Sequence, residues 1–349
     1  MDTTSKHQEE RIIMDPKARA FLLLAVMFAS TIVFAQAKAP RIVHGTYVGN
    51  SIAISEPEND SCSKMLKTCD YPTGGQAAAF FAVDSDGNLW VSNQNSANVS
   101  KLAPNGTILG IFAVGNVPAD MLFLNGDIWV ANWIDSSVSV LQASTGKLVE
   151  TILLPSGSQP YQFVAADANV FVTSENGNLL EISPQNYQVK SIHIGWVPYQ
   201  AVLHAGYLWV TILNGELARV NPKSGAVKFY SVPGASDITG IAAIGSHLWL
   251  LDFDSGNLIE FDPATSQVVA TVTTGVEIGQ TVYQHFGKVW VSGLGTDAIM
   301  RVDPATFEVE DVPIPAGYLD QPLGIVGTGK TLWVANNGPQ NVGVTNFTP

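Results

Sequence analysis

One tripeptide recurs along the chain at intervals of 38 to 43 residues. In each copy an aromatic residue stands between two aliphatic residues, as in Leu89-Trp90-Val91. Six of the chain's 8 tryptophans occupy the central position, so chance does not explain the pattern. The seven central residues are Trp90, Trp129, Phe171, Trp209, Trp249, Trp290 and Trp333. A repeat of this period indicates an array of similar structural units.

Each copy also contains four segments with the pattern of β strands, and turn residues separate them. Asn125-Gly126 precedes the tripeptide of one copy, and such pairs join antiparallel strands. Residues 258–262 alternate between apolar and polar side chains, which argues against helical repeats of similar length. Four strands in about 40 residues match one propeller blade. The sequence therefore predicts an all-β fold, a seven-bladed β-propeller of four-stranded antiparallel blades.

The two ends of the repeat region predict how the ring closes. The last copy stops near Val344, which leaves little chain for a fourth strand. Residues 48–50 (Val-Gly-Asn) repeat residues 114–116, where an outer strand ends and the next blade begins. We therefore expect residues 41–48 to supply the outer strand of the seventh blade, which would remove an exposed sheet edge. Residues 51–75 would then form an insertion before the first blade.

The N-terminal region has the features of a secretory signal peptide. Lys17 and Arg19 precede an apolar run, residues 21–35, and Ala35-Gln36-Ala37 gives a small-residue cleavage pattern. A membrane anchor is the alternative, but spanning a bilayer needs about 20 apolar residues. We predict that residues 1–37 are a signal peptide, and that Met14 is a possible true start. The mature chain, 38–349, would be a single propeller domain, secreted to the periplasm or the extracellular space.

The two cysteines, Cys62 and Cys69, are predicted to form one local disulfide, because export implies an oxidising compartment. Their spacing is not the C-x-x-C of redox proteins.

Charge limits the partners that this chain can have. Only 13% of its residues are charged, and the net charge is −13. A phosphate backbone would be repelled by such a field, so the chain is not expected to bind nucleic acid. A small molecule, a glycan or a protein remains open as the partner. We expect a monomer without a membrane span in its mature part.

The repeats resemble the YVTN and streptogramin-lyase-like (virginiamycin B lyase-like) propeller families. The resemblance covers residues 76–349 and rests on the tripeptides, on a following Asn as at Asn93 and Asn336, and on turns such as 262–265. It implies the propeller fold and, for the lyases, His and Glu side chains at one channel mouth with Mg²⁺. The matching blade starts (118–120, 160–162, 198–200 and 322–324) contain no His. Fold alone does not define an activity.

The mouth of the central channel is the predicted site. Aligning the blades gives two rings of residues, one in the first strands and one just after the tripeptides. Their polar members are the predicted ligand-binding residues, together with Trp133 beside them. These residues are Asn93, Asp120, Asn132, Gln162, Gln200, Asp252 and Asn336.

Three interpretations of the rings remain open. Oxygen side chains could hold Ca²⁺ or Mg²⁺, and resemblance to lactonase-like propellers implies Asp120, Asn132, Asp252 and Asn336 as the ligands. The rings could instead bind a small polar ligand beside an aromatic wall. They could also simply cap strand ends. The first function hypothesis is therefore a non-catalytic binding or scaffold protein, and the alternative is a divalent-metal-dependent lyase or lactone hydrolase at the same mouth.

Overall fold

The structure is a computed structural model that describes residues 62–63, 68–339 and 343–348. The predicted signal peptide and residues 41–48 lie outside the described residues. Within the described part of the chain, no helix is both long enough and apolar enough to span a membrane. The domain that contains the described residues is built from β strands.

Seven sheets follow one another along the chain, each a blade of antiparallel strands. The strands of blades 1 to 3 are Ala78–Val83, Leu89–Asn93, Asn98–Leu102 and Ile108–Ala113; Pro118–Leu124, Asp127–Asn132, Ser137–Gln142 and Leu148–Leu153; and Pro160–Ala166, Asn169–Ser174, Asn178–Ile182 and Val189–His193. Those of blades 4 to 6 are Pro198–His204, Tyr207–Ile212, Glu216–Val220 and Val227–Ser231; Ile238–Ile244, His247–Asp252, Asn257–Asp262 and Gln267–Thr273; and Gly279–His285, Lys288–Gly293, Ile299–Val302 and Val309–Asp311. The predicted seven-bladed propeller is confirmed.

Blade 7 joins the two ends of the domain. Its first three strands are Pro322–Thr328, Thr331–Asn336 and Gly343–Phe347, and its fourth is Thr68–Pro72. The short strand Cys62–Ser63 pairs with this fourth strand and lies at the sheet edge. An N-terminal strand therefore closes the ring, but residues 68–72 hold the place that we expected for residues 41–48. The range 51–75 thus contains the closing strand and is not only an insertion.

Glycine recurs in the turns between first and second strands because these turns contain residues with positive φ. Asn125 and Gly126 both have positive φ, at 54° and 89°. Two successive residues of this kind define the type I′ turn, whose twist matches that of the flanking strands. Asp167 and Ala168 adopt positive φ at the same place in blade 3, without glycine.

The repeated tryptophans pack between blades. All six lie in the core with at most 2% of their surface exposed. Trp209 of blade 4 packs against Leu250 and Phe261 of blade 5. Trp333 of blade 7 packs against Leu89 of blade 1, so the same contact closes the ring. Large aromatic areas are thus buried at successive blade interfaces.

The two faces of the propeller are defined by their loops. The mouth face carries the turns between second and third strands and the connections from each fourth strand to the next blade. The opposite face carries the turns between first and second strands and between third and fourth strands.

Candidate functional site

The side chains of the innermost strands fill the channel. Tyr161 of blade 3 meets Phe80 of blade 1 edge-on at 5.6 Å between ring centroids, and stacks on Tyr199 of blade 4 at 4.2 Å. The two tyrosine hydroxyls are 2.7 Å apart, and the Tyr199 hydroxyl donates to Oε1 of Gln280 in blade 6 at 2.8 Å. Contacts that skip a blade require side chains that extend into the channel. We call Phe80, Tyr161, Tyr199 and Gln280 the channel plug.

A β-bulge in each first strand decides which side chains reach the channel. In all seven blades the pairing of first and second strands shifts register after the first residue. Such a bulge re-aims the side chains that follow it. The second residue reaches the channel in blades 3, 4 and 6, as Tyr161 does, whereas a third residue such as Gln162 contacts the next blade. Phe80 of blade 1 differs, since it is a third residue and meets Tyr161 in the channel.

Three of the predicted site residues therefore connect neighbouring blades. Asp120 Oδ2 accepts the backbone N–H of Phe163 at 3.0 Å. In the next blades, Gln162 Oε1 accepts from the Ala201 N–H at 2.6 Å, and Gln200 Oε1 accepts from the following blade's first strand at 3.3 Å. These side-chain oxygens satisfy backbone donors of the inner strands, and an unsatisfied buried donor would cost about 1–3 kcal/mol.

The other four ring residues tie together the loops and strands of their own blades. Asn132 is fully buried, accepts from the Gly115 N–H at 3.0 Å, and donates to the Ser137 and Ser139 hydroxyls at 3.0 and 2.9 Å. Equivalent bonds, each from the second strand to the entering loop and to the third strand or the turn before it, are made by Asn93, Asp252 and Asn336.

The four predicted metal ligands are thus engaged in separate hydrogen bonds in three blades. Asp120 lies in a first strand, and Asn132, Asp252 and Asn336 end second strands in blades 2, 5 and 7. No hydrogen bond joins any two of these four side chains within the described chain. Among the described residues, moreover, no group of three or more His, Cys, Asp or Glu side chains could hold a metal ion.

The residue after each second strand faces the mouth. In all seven blades its backbone N–H donates to the carbonyl of the residue just before the first strand. Gln94 and Asn337 hydrogen-bond across the junction of blades 1 and 7 at 3.1 Å. Trp133 Nε1 donates to Glu175 Oε1 at 2.7 Å, which connects blades 2 and 3. Trp133 is buried at this junction.

Two carboxyls without a hydrogen bond to Lys, Arg or His lie beside the plug. Burial raises the pKa of Glu175 to about 8, although the hydrogen bond from Trp133 opposes the shift. Burial likewise raises the pKa of Asp120 to about 7, against the N–H groups of Phe163 and Met121. Their charges also raise the pKa of the Tyr161 hydroxyl, after burial itself. Desolvation penalises the charged forms here, and no Lys, Arg or His of the described chain hydrogen-bonds to either carboxyl.

A cavity of about 460 Å³ opens on the mouth face between blades 2 and 3. Its walls include Ile134 and Leu153, whose side chains are 53% and 78% exposed, together with Asp135. These two side chains place exposed apolar surface beside a concave region of the mouth face.

The four described histidines lie away from the channel plug. His204 and His285 end first strands and His247 begins a second strand, so all three are at the opposite face. His247 Nδ1 is 2.7 Å from Glu260 Oε1. His193 ends a fourth strand at the outer rim of blade 3. None of these four is next to the plug in sequence or by hydrogen bond.

Sequence reasoning missed most of the plug. Simple alternation of side chains, aligned on the tripeptide, selected Gln162 and Gln200, the residues after Tyr161 and Tyr199, because it does not anticipate the bulge. The repeated Pro-Tyr-Gln at 160–162 and 198–200 was the available signal.

Solved structures with the same fold have several activities. The virginiamycin B lyase of Staphylococcus aureus has a TM-score of 0.72 at 16% identity, covering 81% of this chain and 99% of its own. A catalytically inactive histidine-to-alanine variant of that enzyme, solved with quinupristin, has the same TM-score and coverage at 17% identity. Hydrazine synthase of Kuenenia stuttgartiensis reaches 0.68 at 14% identity, covering 78% and 96%. No family model and no curated protein matches the chain.

The expected resemblance to streptogramin-lyase-like propellers is confirmed at the level of the fold.

Proposed function

We propose that the protein is an exported, non-catalytic binding protein that holds its ligand on the mouth face. The observation that carries the proposal is that the side chains of the two polar rings make structural hydrogen bonds. The amides and carboxyls that could have met at the channel hold strands and blades together instead, and the plug fills the space between them. The mouth face meanwhile exposes apolar side chains beside a cavity.

A binding surface is tested by ligand-induced stabilisation, because a ligand that binds only the native state raises its melting temperature. We would screen glycans, peptides and small polar molecules by thermal shift, and then recover each hit to test that it is chemically unchanged. The double variant Ile134→Ser/Leu153→Ser is expected to lose the shift. The control, Val149→Ser/Leu203→Ser, removes one β-branched residue and one Leu, 50% and 44% exposed, away from that face and should keep the shift. A hit that is chemically converted would contradict the non-catalytic proposal.

The alternative is a divalent-metal-dependent lyase or lactone hydrolase at the same mouth, and the fold likeness to virginiamycin B lyase favours it. Ca²⁺ or Mg²⁺ held by Asp120, Asn132, Asp252 and Asn336 would raise the melting temperature. We expect no shift with either ion. A shift that Asp252→Ala abolishes would favour the enzyme.

Export is part of the proposal. Cys62 pairs directly opposite Cys69 in the antiparallel strands at the edge of blade 7. Opposed residues of such strands have Cα atoms about 4.5–5.5 Å apart, within the range that a disulfide bridges. Sequencing of exported protein is expected to find Lys38 at the N-terminus. A cytoplasmic protein that keeps residues 1–37 would contradict export.

A further inference from the structure

The cationic side chains of the propeller are confined to one side. Between residues 68 and 339 there are nine Lys and Arg residues. Each lies in an opposite-face loop or in the half of a strand nearest that face: Lys101, Lys147, Lys190, Arg219, Lys223, Lys228, Lys288, Arg301 and Lys330. Several are paired there, as Lys288 is with Asp303 at 2.6 Å. Exposed His193, at the end of a fourth strand, is the one described residue near the mouth face that could become cationic.

The mouth-face loops carry carboxylates alone. Among the described residues these loops contain seven acidic side chains, in five of the seven blades or the connections between them: Asp135, Glu175, Asp237, Asp254, Glu277, Asp297 and Asp320. Glu175, whose pKa is raised to about 8, adds little to the charge at neutral pH. Asp135, Asp254, Glu277 and Asp297 are exposed. A face with one sign of charge attracts partners of the opposite sign and repels partners of its own sign.

Two further features of this face point to a ligand. Ile134 and Leu153 are exposed beside the 460 Å³ cavity, next to Asp135. Gln280 in the plug is 0% exposed, and its Nε2 has no hydrogen-bond acceptor among the described residues. A buried N–H of this kind requires an acceptor other than the described residues, such as a water or a ligand oxygen.

We propose that the mouth face binds a basic peptide segment, in which Lys or Arg alternates with apolar side chains. The ammonium or guanidinium groups would pair with the exposed carboxylates, and the apolar side chains would cover Ile134 and Leu153. A channel water that the bound segment covers would accept from Nε2 of Gln280, which is itself fully buried. This inference rests on the proposed function, since it names the ligand class for the same surface. A polyanion, a nucleic acid or an acidic protein is unsuited to this face.

The test uses the mature chain and a fluorescent octapeptide of alternating Lys and Leu, with the Glu-Leu octapeptide as its counterpart. Binding is measured by anisotropy at about 10 mM and at about 150 mM salt, where the Debye length falls from about 30 to 8 Å. We expect the Lys-Leu peptide to bind and to weaken with salt, and the Glu-Leu peptide not to bind. Absence of Lys-Leu binding at low salt would overturn the inference.

A matched pair of variants locates the binding. Asp135→Asn/Asp254→Asn/Glu277→Gln removes three exposed charges from the mouth face, and should weaken binding about tenfold at low salt. Asp86→Asn/Asp167→Asn/Glu308→Gln removes two Asp and one Glu charges from the opposite face, all exposed, and should change it by less than about twofold. Equal weakening by both variants would show that only net charge matters, and would overturn the inference.

Failure of this inference is distinguishable from failure of the proposed function. If the peptide does not bind but another ligand's thermal shift is lost in Ile134→Ser/Leu153→Ser, the binding protein stands and only its ligand class is wrong. If the peptide binds as expected but is cleaved or otherwise altered, the ligand class stands and the non-catalytic proposal fails.

Discussion

The Glu175 carboxyl gives the fold a pH dependence whose direction is opposite to that of an ordinary surface carboxylate. Its folded-state pKa is raised to about 8 from 4.5, because burial disfavours the charged form. The folded protein therefore binds a proton more tightly than the unfolded chain does. By linkage, stability is fully present below about pH 4.5 and falls as the pH rises through about 8.

The size of the effect follows from the same shift. Each pKa unit corresponds to about 1.4 kcal/mol, so the loss between about pH 5 and pH 9 has a limit near 4 kcal/mol. Glu175 keeps some contact with solvent, and screening reduces this limit to an expected loss of about 2 kcal/mol. For a domain of this size that is a fall in melting temperature of roughly 4 °C.

Glu175→Gln isolates this contribution, since the amide oxygen still accepts from Trp133 Nε1 but the side chain no longer titrates. Urea unfolding from about pH 5 to pH 9 should show the variant losing about 2 kcal/mol less than the native chain. Glu308→Gln, at an exposed position of the opposite face, is the control and should follow the native curve. Parallel curves for the native chain and Glu175→Gln would refute the reasoning.

Three further outcomes are expected. Gln162→Ala leaves an inter-blade N–H without its acceptor and should lower the free energy of unfolding by about 1–3 kcal/mol, whereas Gln185→Ala, at an exposed turn, should leave it within about 0.5 kcal/mol; equal effects in urea unfolding would contradict the inter-blade role. Trp333→Ala removes the aromatic contact that closes the ring and should lower the free energy of unfolding by about 3–5 kcal/mol in the same assay. A loss below about 1 kcal/mol would show that this contact does not hold blade 7 to blade 1. Mass spectrometry of non-reduced exported protein should show a Cys62–Cys69 disulfide, and alkylation of both thiols without reductant would exclude it.

The fold could be predicted because its determinants are local and repeated. The tripeptide with its flanking turns specifies a four-stranded unit, and Asn125-Gly126 specifies the twist of a hairpin. Closure of the ring by an N-terminal strand was also predictable, because the last copy lacks a fourth strand. The N-terminal segment that supplies the fourth strand could not be chosen from local pattern. Residues 41–48 and Thr68–Pro72 are both short segments that a Gly-containing turn follows.

The site was less predictable because it depends on one irregularity of the backbone. The bulge after the first residue of each inner strand directs Tyr161 into the channel and Gln162 into the next blade. No alternation rule contains this shift. The pairing of Trp133 with Glu175, 42 positions apart, also depends on how two blades are placed side by side. Charge asymmetry between the faces becomes visible only after the loops are assigned to a face.

Amide hydrogen exchange on the mature chain, with and without the Lys-Leu octapeptide, tests most directly where this protein binds. The account predicts slower exchange in the mouth-face loops at residues 133–136, 253–256 and 294–298, and unchanged exchange in the opposite-face loops at residues 103–107 and 221–226. Protection confined to the opposite-face loops, or none at a saturating peptide concentration, would contradict it.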